Sequence, residues 1–242
     1  MISYALYTNA GNREINEDAV GAFEKGDHYC FVLCDGLGGH GMGDIAAHLV
    51  KDVFEQMFAR CEDVENFLNQ AFPASQQLLM MEQKEQHVPQ KMKTTCVALV
   101  ADQKNAYIGH IGDSRAYIFY HGKVKQRTLD HSIPQMMALS KEIKESEIRN
   151  HPQRNLVLRV LGIEWEDNMF ELMEHVSLKK GQAFLLCSDG FWELIDESEM
   201  CGILKKSSSP KEWLERMTEV VKANGLGRNM DNYSAIAVWN TK

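Results

Sequence analysis

Residues 29–34 (YCFVLC) are apolar at every position and run straight into Asp35-Gly36. A strand of this kind offers no face to water and needs cover on both sides. Further strand-like runs lie at 94–101, 105–111, 116–120, 124–127, 183–187 and 234–239, with weaker ones at 3–7 and 19–23. Gly112-Asp113-Ser114-Arg115 and His121-Gly122-Lys123 have tight-turn composition. Tight hairpins between strands predict antiparallel sheets. Apolar residues at helical spacing predict helices over 44–60, 64–86, 130–149 and 210–223, the last with Ser209 as N-cap and Pro210 at N1. Two long helices after the third strand suggest a layered α+β domain. No repeat or long linker divides the sequence, so residues 1–242 are read as one domain.

Composition narrows the partners. Lys and Arg number 26 against 34 Asp and Glu, a formal −8. That balance disfavours duplex DNA or an anionic membrane, which are gripped by clustered cations. The sequence shows neither a signal-peptide pattern nor an apolar stretch of membrane-spanning length. Cys30, Cys34, Cys61, Cys96, Cys187 and Cys201 form no CxxC pair, and four of them fall in apolar strand runs. Reduced buried thiols and a cytoplasmic setting are expected.

The acids are placed unusually. Asp35 ends the first long run, Asp113 follows 105–111, and Asp189 follows 183–187 in Ser188-Asp189-Gly190. Glu17-Asp18 precede the strand at 19–23, and Asp231-Asn232 precede the last one. A single Asp at a strand end usually just closes a turn. Sheets, however, bring strand ends together, and converging carboxylates need cations. An all-oxygen set drawn from distant segments selects Mg²⁺, Mn²⁺ or Ca²⁺, and no EF-hand run is present. Two such ions sharing a carboxylate would lower the pKa of a shared water, which suits phosphate-ester hydrolysis. The glycines after Asp35 let backbone groups approach an ion, but the run lacks the Lys-Ser/Thr of a P-loop. Arg13, four residues before Glu17, offers a bidentate partner for phosphate, although an Arg in such a turn is usually only solvated.

Assembled in order, these segments resemble the metal-dependent, PP2C-like protein serine/threonine phosphatases in their compact bacterial form. Arg13-Glu14-Ile15-Asn16-Glu17-Asp18 is similar to the family's RxxNED, and Asp35-Gly36-Leu37-Gly38-Gly39-His40 to its DGxGGH. Gly112-Asp113-Ser114-Arg115-Ala116-Tyr117, Asp130-His131-Ser132, Ser188-Asp189-Gly190 and Asp231-Asn232 match GDSRAY, DHS, SDG and DN. His151-Pro152-Gln153-Arg154-Asn155 and Arg159-Val160-Leu161-Gly162 are similar to HPxRN and RxLG. One tripeptide is weak; eight in the right order over nearly the whole chain are specific.

The resemblance implies a four-layer αββα sandwich with two antiparallel sheets, and two Mn²⁺ or Mg²⁺ ions in a cleft at one end. By position, Asp35 would bridge both ions, Asp189 and Asp231 would complete one site, and Glu17 with the Gly36 carbonyl the other. Asp113 would hold a third, weaker ion with Asp189. Arg13 would bind the substrate phosphate, Asp18 would orient ligands or water, and hydroxide between the ions would attack phosphoserine or phosphothreonine. Leu37 stands where some members carry a histidine acid, which leaves His40 as the candidate general acid. Lys93 replaces a glycine, and Glu193 stands where some members carry an Asp on the third ion. Residues 130–160 would form the flap beside the cleft, and the Met136-Met137 pair in it reads as core. The implied partners are phosphorylated proteins, substrates of a cognate Ser/Thr kinase, with a monomer as the default state. Two alternatives remain open: a catalytically silent phospho-binding regulator, and a phosphatase of a small phosphorylated metabolite.

Overall fold

The computed structural model describes residues 1–38, 41–167 and 169–241. The chain opens with strands β1 (Ile2–Asn9), β2 (Asp18–Lys25) and β3 (His28–Asp35), followed by helices α1 (Gly43–Phe58) and α2 (Phe67–Glu85). Next come β4 (Cys96–Ala101), β5 (Asn105–Ile111), β6 (Arg115–Tyr120) and β7 (Lys123–Arg127). A flap follows, with α3 (Ile133–Leu139) and a 3-10 turn at Glu145–Asn150. The chain then adds β8 (Glu171–Leu172), β9 (Val176–Ser177) and β10 (Gln182–Cys187), then α4 (Asp189–Trp192), α5 (Glu197–Leu204), α6 (Pro210–Gly225) and β11 (Tyr233–Asn240).

One sheet runs β1-β11-β10-β6-β7; the other runs β2-β3-β4-β5-β8, with β9 also on β5. The paired strands are antiparallel, as the hairpin turns predict. Alternation along β3 explains its all-apolar sequence. Cys30, Val32 and Cys34 pack against Ala46, Val50 and Phe54 of α1 and Phe72 of α2. Phe31 and Leu33 point the other way, toward Ile118, Phe184, Leu186, Ile236 and Val238 of the facing sheet. The outer face of that sheet buries Phe119, Leu185 and Cys187 against Trp213, Met217 and Val221 of α6. Three apolar layers between four structural ones make the expected αββα sandwich. Each fully buried Leu or Phe contributes about 1.5–3 kcal/mol over its exposed state, enough to hold charged strand ends at a rim.

Residues 130–149 are not one helix. Ser132 caps α3, accepting from Gln135 N, and Pro134 sits in the first turn. The helix stops at Ser140, and Lys141 takes a left-handed φ of 64°. The charged stretch that follows has too few apolar positions to hold a helix on the core. Met136 is 55% exposed, so the expectation that it is core is overturned. Helix α5 has no counterpart among the sequence expectations, although Asp196 accepts from Glu199 N and Glu199 reaches back in a capping box. Ser209 caps α6 as expected. Cys30, Cys34, Cys96 and Cys187 are buried free thiols, and no described helix is long and apolar enough to cross a membrane.

Candidate metal centre

The β2–β3 ladder sets Asp18 directly opposite Asp35. Asp35 is fixed by its backbone. Thr95 N and Thr94 Oγ1 both donate to its carbonyl at 2.9 Å, and its own N–H donates to Thr95 Oγ1 at 3.2 Å. Gly36 then bridges to Thr94, and Leu37 N donates to Lys93 O, so Lys93 serves there through its backbone. Asp113 follows β5 through Gly112, whose φ is +106°; a Cβ at that position would meet Thr95 Cβ at 2.5 Å, so only glycine fits. Asp189 opens α4 after β10, and Asp231 immediately precedes β11 but for Asn232. The result is a cleft of about 620 Å³ lined by Arg13, Glu17, Asp35, Gly36, Asp113, Asp189 and Asp231, among others. Asp18 lies behind it, buried. His40 lies outside the described residues.

The acids raise one another. Burial lifts Asp35 well above the usual carboxylate range, with Asp18, Asp189, Asp113 and Asp231 adding to it. Burial and then Asp189 do the same to Asp113. Asp189 is raised by burial and Asp231, while hydrogen bonds with Asp35 and the Gly190 backbone, and then Arg154, partly offset this. Asp18 is pushed up to about 7 by burial, against hydrogen bonds from Ser234 and Ser188 that favour its charged form. Glu17 is raised by burial, Asp44 and Asp231, and lowered by Arg13. Such a set holds excess negative charge that bound cations would neutralise.

Local geometry fits hard cations. Asp18 Oδ2 accepts from Ser188 Oγ at 3.0 Å, while its buried Oδ1 has no partner. A Cβ on Gly38 would collide with Glu17 Oε2, so the Glu17 carboxylate rests against bare backbone. The donors are all oxygen, the chemistry of Mn²⁺ and Mg²⁺. Arg13 Nη2 donates to Asp231 Oδ2 at 2.9 Å, and both side chains are about half exposed.

Asn232 carries a role that its sequence context does not assign. Its Oδ1 accepts from Glu17 N at 2.8 Å, and its Nδ2 donates to the carbonyls of Ala10 and Ile15 at 2.9 and 3.0 Å. It ties the Arg13–Glu17 loop to the segment bearing Asp231. A short polar residue before a strand is the visible signal, but its partners are more than 200 positions away.

The GDSRAY and DHS segments interlock. Arg115 grips Asp130 with Nε and Nη2 at 2.8 and 2.7 Å, both side chains being buried. Gly112 N donates to His131 Nδ1, and His131 N donates to Gly112 O. Arg115 also lies 3.4 Å above the Trp192 ring, and Trp192 Nε1 donates to Asp113 O at 3.0 Å. Arg–Glu pairs hold the flap down: Arg149–Glu197 at 3.1 Å, Arg154–Glu193 at 2.9 Å and Arg159–Glu171 at 3.0 Å. Glu193 is raised to about 7 by burial and Asp189, with Arg154 opposing.

His110, His131 and Glu171 also gather, with ligand-type atoms within 4.8 Å of one another. Because Gly112 N donates to His131 Nδ1, the neutral ring carries its proton on Nε2, which faces Glu171 Oε1 at 3.2 Å. His110 Nε2 donates to Leu129 O. The rings are held through Leu129 O and Gly112 N, while His110 Nδ1 and His131 Nε2 are buried without a hydrogen bond, and a metal on His131 Nε2 would have to displace its proton.

Comparisons with known proteins bear on the family and the fold. A family model described as Protein phosphatase 2C matches residues 7–233. A serine/threonine phosphatase, Stp, of Listeria welshimeri is 32% identical over 234 residues, covering 93% of this chain and 90% of that protein. The crystal structure of serine/threonine phosphatase Stp1 from Staphylococcus aureus superposes with a TM-score of 0.89 at 28% identity, over 99% of this chain and 95% of that one. The catalytic domain of serine threonine protein phosphatase PstP, solved in complex with two manganese ions, gives a TM-score of 0.84 at 25% identity, covering 98% and 97%.

Proposed function

The chain belongs to the protein phosphatase 2C family, and from that premise we propose that it hydrolyses phosphoserine and phosphothreonine in proteins at its acidic cleft. Asp35 would touch both of two divalent cations, with Asp189 and Asp231 on one and Glu17 and the Gly36 carbonyl on the other. When bound, manganese or magnesium ions would supply Lewis-acid charge and lower the pKa of water in the cleft.

The chain's own residues do the rest. Arg13 stands at the cleft wall with a planar fork of donors suited to phosphoryl oxygens. Asp18, held through Ser188, presents its unpartnered oxygen behind the ligands, where it orients them or accepts a proton from water. Asn232 holds the loop that carries Arg13 and Glu17. Leu37 lines the cleft and has no proton to give, so the leaving oxygen takes its proton elsewhere; His40 is our candidate. The buried thiols take no part: burial pushes Cys96 and Cys187 well above the range where a thiolate forms.

The observation carrying this reading is that Glu17, Asp35, Asp113, Asp189 and Asp231, from separate segments, line one cleft. No acid of the set is replaced, which disfavours a silent binder. Flap residues Asn155 and Val157 line the cleft, and their chain neighbours Leu156 and Leu158 are exposed, which favours a protein over a small metabolite. A cytoplasmic monomer that reverses the work of a Ser/Thr kinase is the setting we infer. The test is Mn²⁺-dependent release of phosphate from a phosphothreonine peptide, with chelator and Asp35→Asn controls. Binding of the peptide without release would identify a reader, and preference for small phosphates would identify a metabolite enzyme.

A further inference from the structure

The chain is acidic overall, at −8, but one rim of the sandwich is basic. Asp189 comes just after β10 and Asp231 just before β11, so the other ends of these strands, Gln182 and Asn240, stand away from the cleft. At about 3.3 Å per residue the two rims are about 20 Å apart. A second cavity, of about 410 Å³, opens at the far rim. Its floor is apolar, made by Ala183, by Leu204 of α5 and by half-buried Trp239, which packs on Trp213 with ring centroids 6.3 Å apart. Its mouth carries Lys180 and Lys205, and no acid lines it among the described residues. Lys123, Lys179 and Lys206 are chain neighbours of lining residues, and all five lysines are exposed. The lysines that pair with carboxylates among the described residues are Lys51, Lys211 and Lys222, none of them on this rim. Two of the rim side chains are steadied by packing. A Cβ on Gly122 would meet Lys205 Cγ and Cε at 2.7 Å, so the Lys205 stem lies along the β6–β7 turn. Lys179 Nζ sits 5.6 Å from the centre of the Tyr120 ring.

We propose that this rim docks an acidic linear segment of another protein. One large apolar side chain of the segment enters the pocket between Lys180 and Lys205, and flanking Asp or Glu residues meet the lysines. The chemistry is complementary on both counts: unpaired ammonium groups attract carboxylates, and the Trp239 floor gains from being covered. The lysines come from three loops and extend past the mouth of the pocket, so the charge runs further than a small ligand reaches, whereas an extended peptide spans it. A nucleic acid is disfavoured by the overall charge of −8 and by a pocket that no arginine lines. Because the surface lies at the end away from the acids, docking needs no metal and touches none of the cleft residues.

The probe is a fluorescein-labelled peptide with one phenylalanine set among glutamates. Its anisotropy is followed on the full chain in chelator, so that no ion in the cleft can hold its carboxylates. Saturable binding is expected, weakened at least about tenfold by Lys180→Glu with Lys205→Glu. Replacing the phenylalanine of the probe by alanine should also weaken it about tenfold. Lys84→Glu with Lys91→Glu makes the same charge change at exposed positions elsewhere and should stay within about twofold of wild type. The rim variant should keep Mn²⁺-dependent turnover of an aryl phosphate within about twofold, which shows that it folds; if it does not fold, Lys180→Gln with Lys205→Gln takes its place. Equal weakening in the two Lys→Glu pairs would overturn the proposal, leaving net charge alone. Affinity that ignores the phenylalanine would also overturn it, since the pocket would then be unused. So would an oligothymidylate of equal charge that binds more tightly than the peptide, or a wild type that binds no peptide up to about 1 mM. A wild type with no turnover would bring down the phosphatase reading, while the anisotropy would still decide this one.

Discussion

Asp18 and Asp35 face each other as Cα partners at the cleft end of the β2–β3 ladder. Like charges directly across an antiparallel pair destabilise it, and the repulsion adds to the burial that already raises Asp35. The pair makes sense as part of a site whose charge is completed by cations.

The metal-free chain should therefore be more stable in mild acid than at neutrality. Asp18 titrates near 3.8 when unfolded and at about 7 when folded. Between those values the folded state binds a proton that the unfolded state has lost, so stability falls as pH rises through that window and levels off above it. Glu193, raised from 4.5 to about 7, adds in the same direction. Urea midpoints in chelator should drop between about pH 5 and pH 8, and saturating Mn²⁺ should recover most of the drop. Midpoints in chelator that rise with pH would contradict this.

Asp35→Asn should separate stability from function. Removing one charge from the cluster should raise the urea midpoint in chelator, while Mn²⁺-dependent turnover falls on the order of a thousandfold. Turnover within a few-fold of wild type would show that the cleft does not depend on this carboxylate.

Asn232→Ala removes three hydrogen bonds around the Arg13–Glu17 loop. A loss of about 1–3 kcal/mol is expected. Mn²⁺ affinity should weaken by about 10–100-fold, because the loop carrying Glu17 is no longer held. Calorimetry showing unchanged affinity would reduce Asn232 to a stability role.

Asp130→Ala leaves Arg115 buried without its bidentate partner. Breaking such a pair typically costs about 3–5 kcal/mol, and the effect should reach Asp113 through Trp192. A denaturation shift below about 1 kcal/mol would mean the pair is screened like a surface one.

Much of the sandwich is legible in the sequence because it follows from local pattern. The unbroken apolar run of β3 announces two covered faces, and Ser209-Pro210 announces the start of α6. The cluster of acids is legible because strand ends meet wherever sheets form. What stays hidden depends on distance in sequence. Nothing around Arg154 names Glu193, and nothing around Asn232 names Glu17; each pairing exists only after the sheets close. The flap departs from its expected helix because the charged stretch after Ser140 carries too few apolar positions to continue it, and the backbone turns left-handed at Lys141. Helix α5 is readable in principle, since Asp196 and Glu199 spell a capping box.

Strand β11 lies between β1 and β10 in its sheet, and Asp231 and Asn232 stand just before it. During translation this strand leaves the ribosome after the ten described strands that precede it. Until it arrives, β1 has no strand to pair with, the Glu17 loop has no Asn232 to hold it, and the cleft lacks one of its acids. A growing polypeptide is thus expected to be inert toward phosphate esters, and the enzyme to switch on only when β11 slots in between β1 and β10.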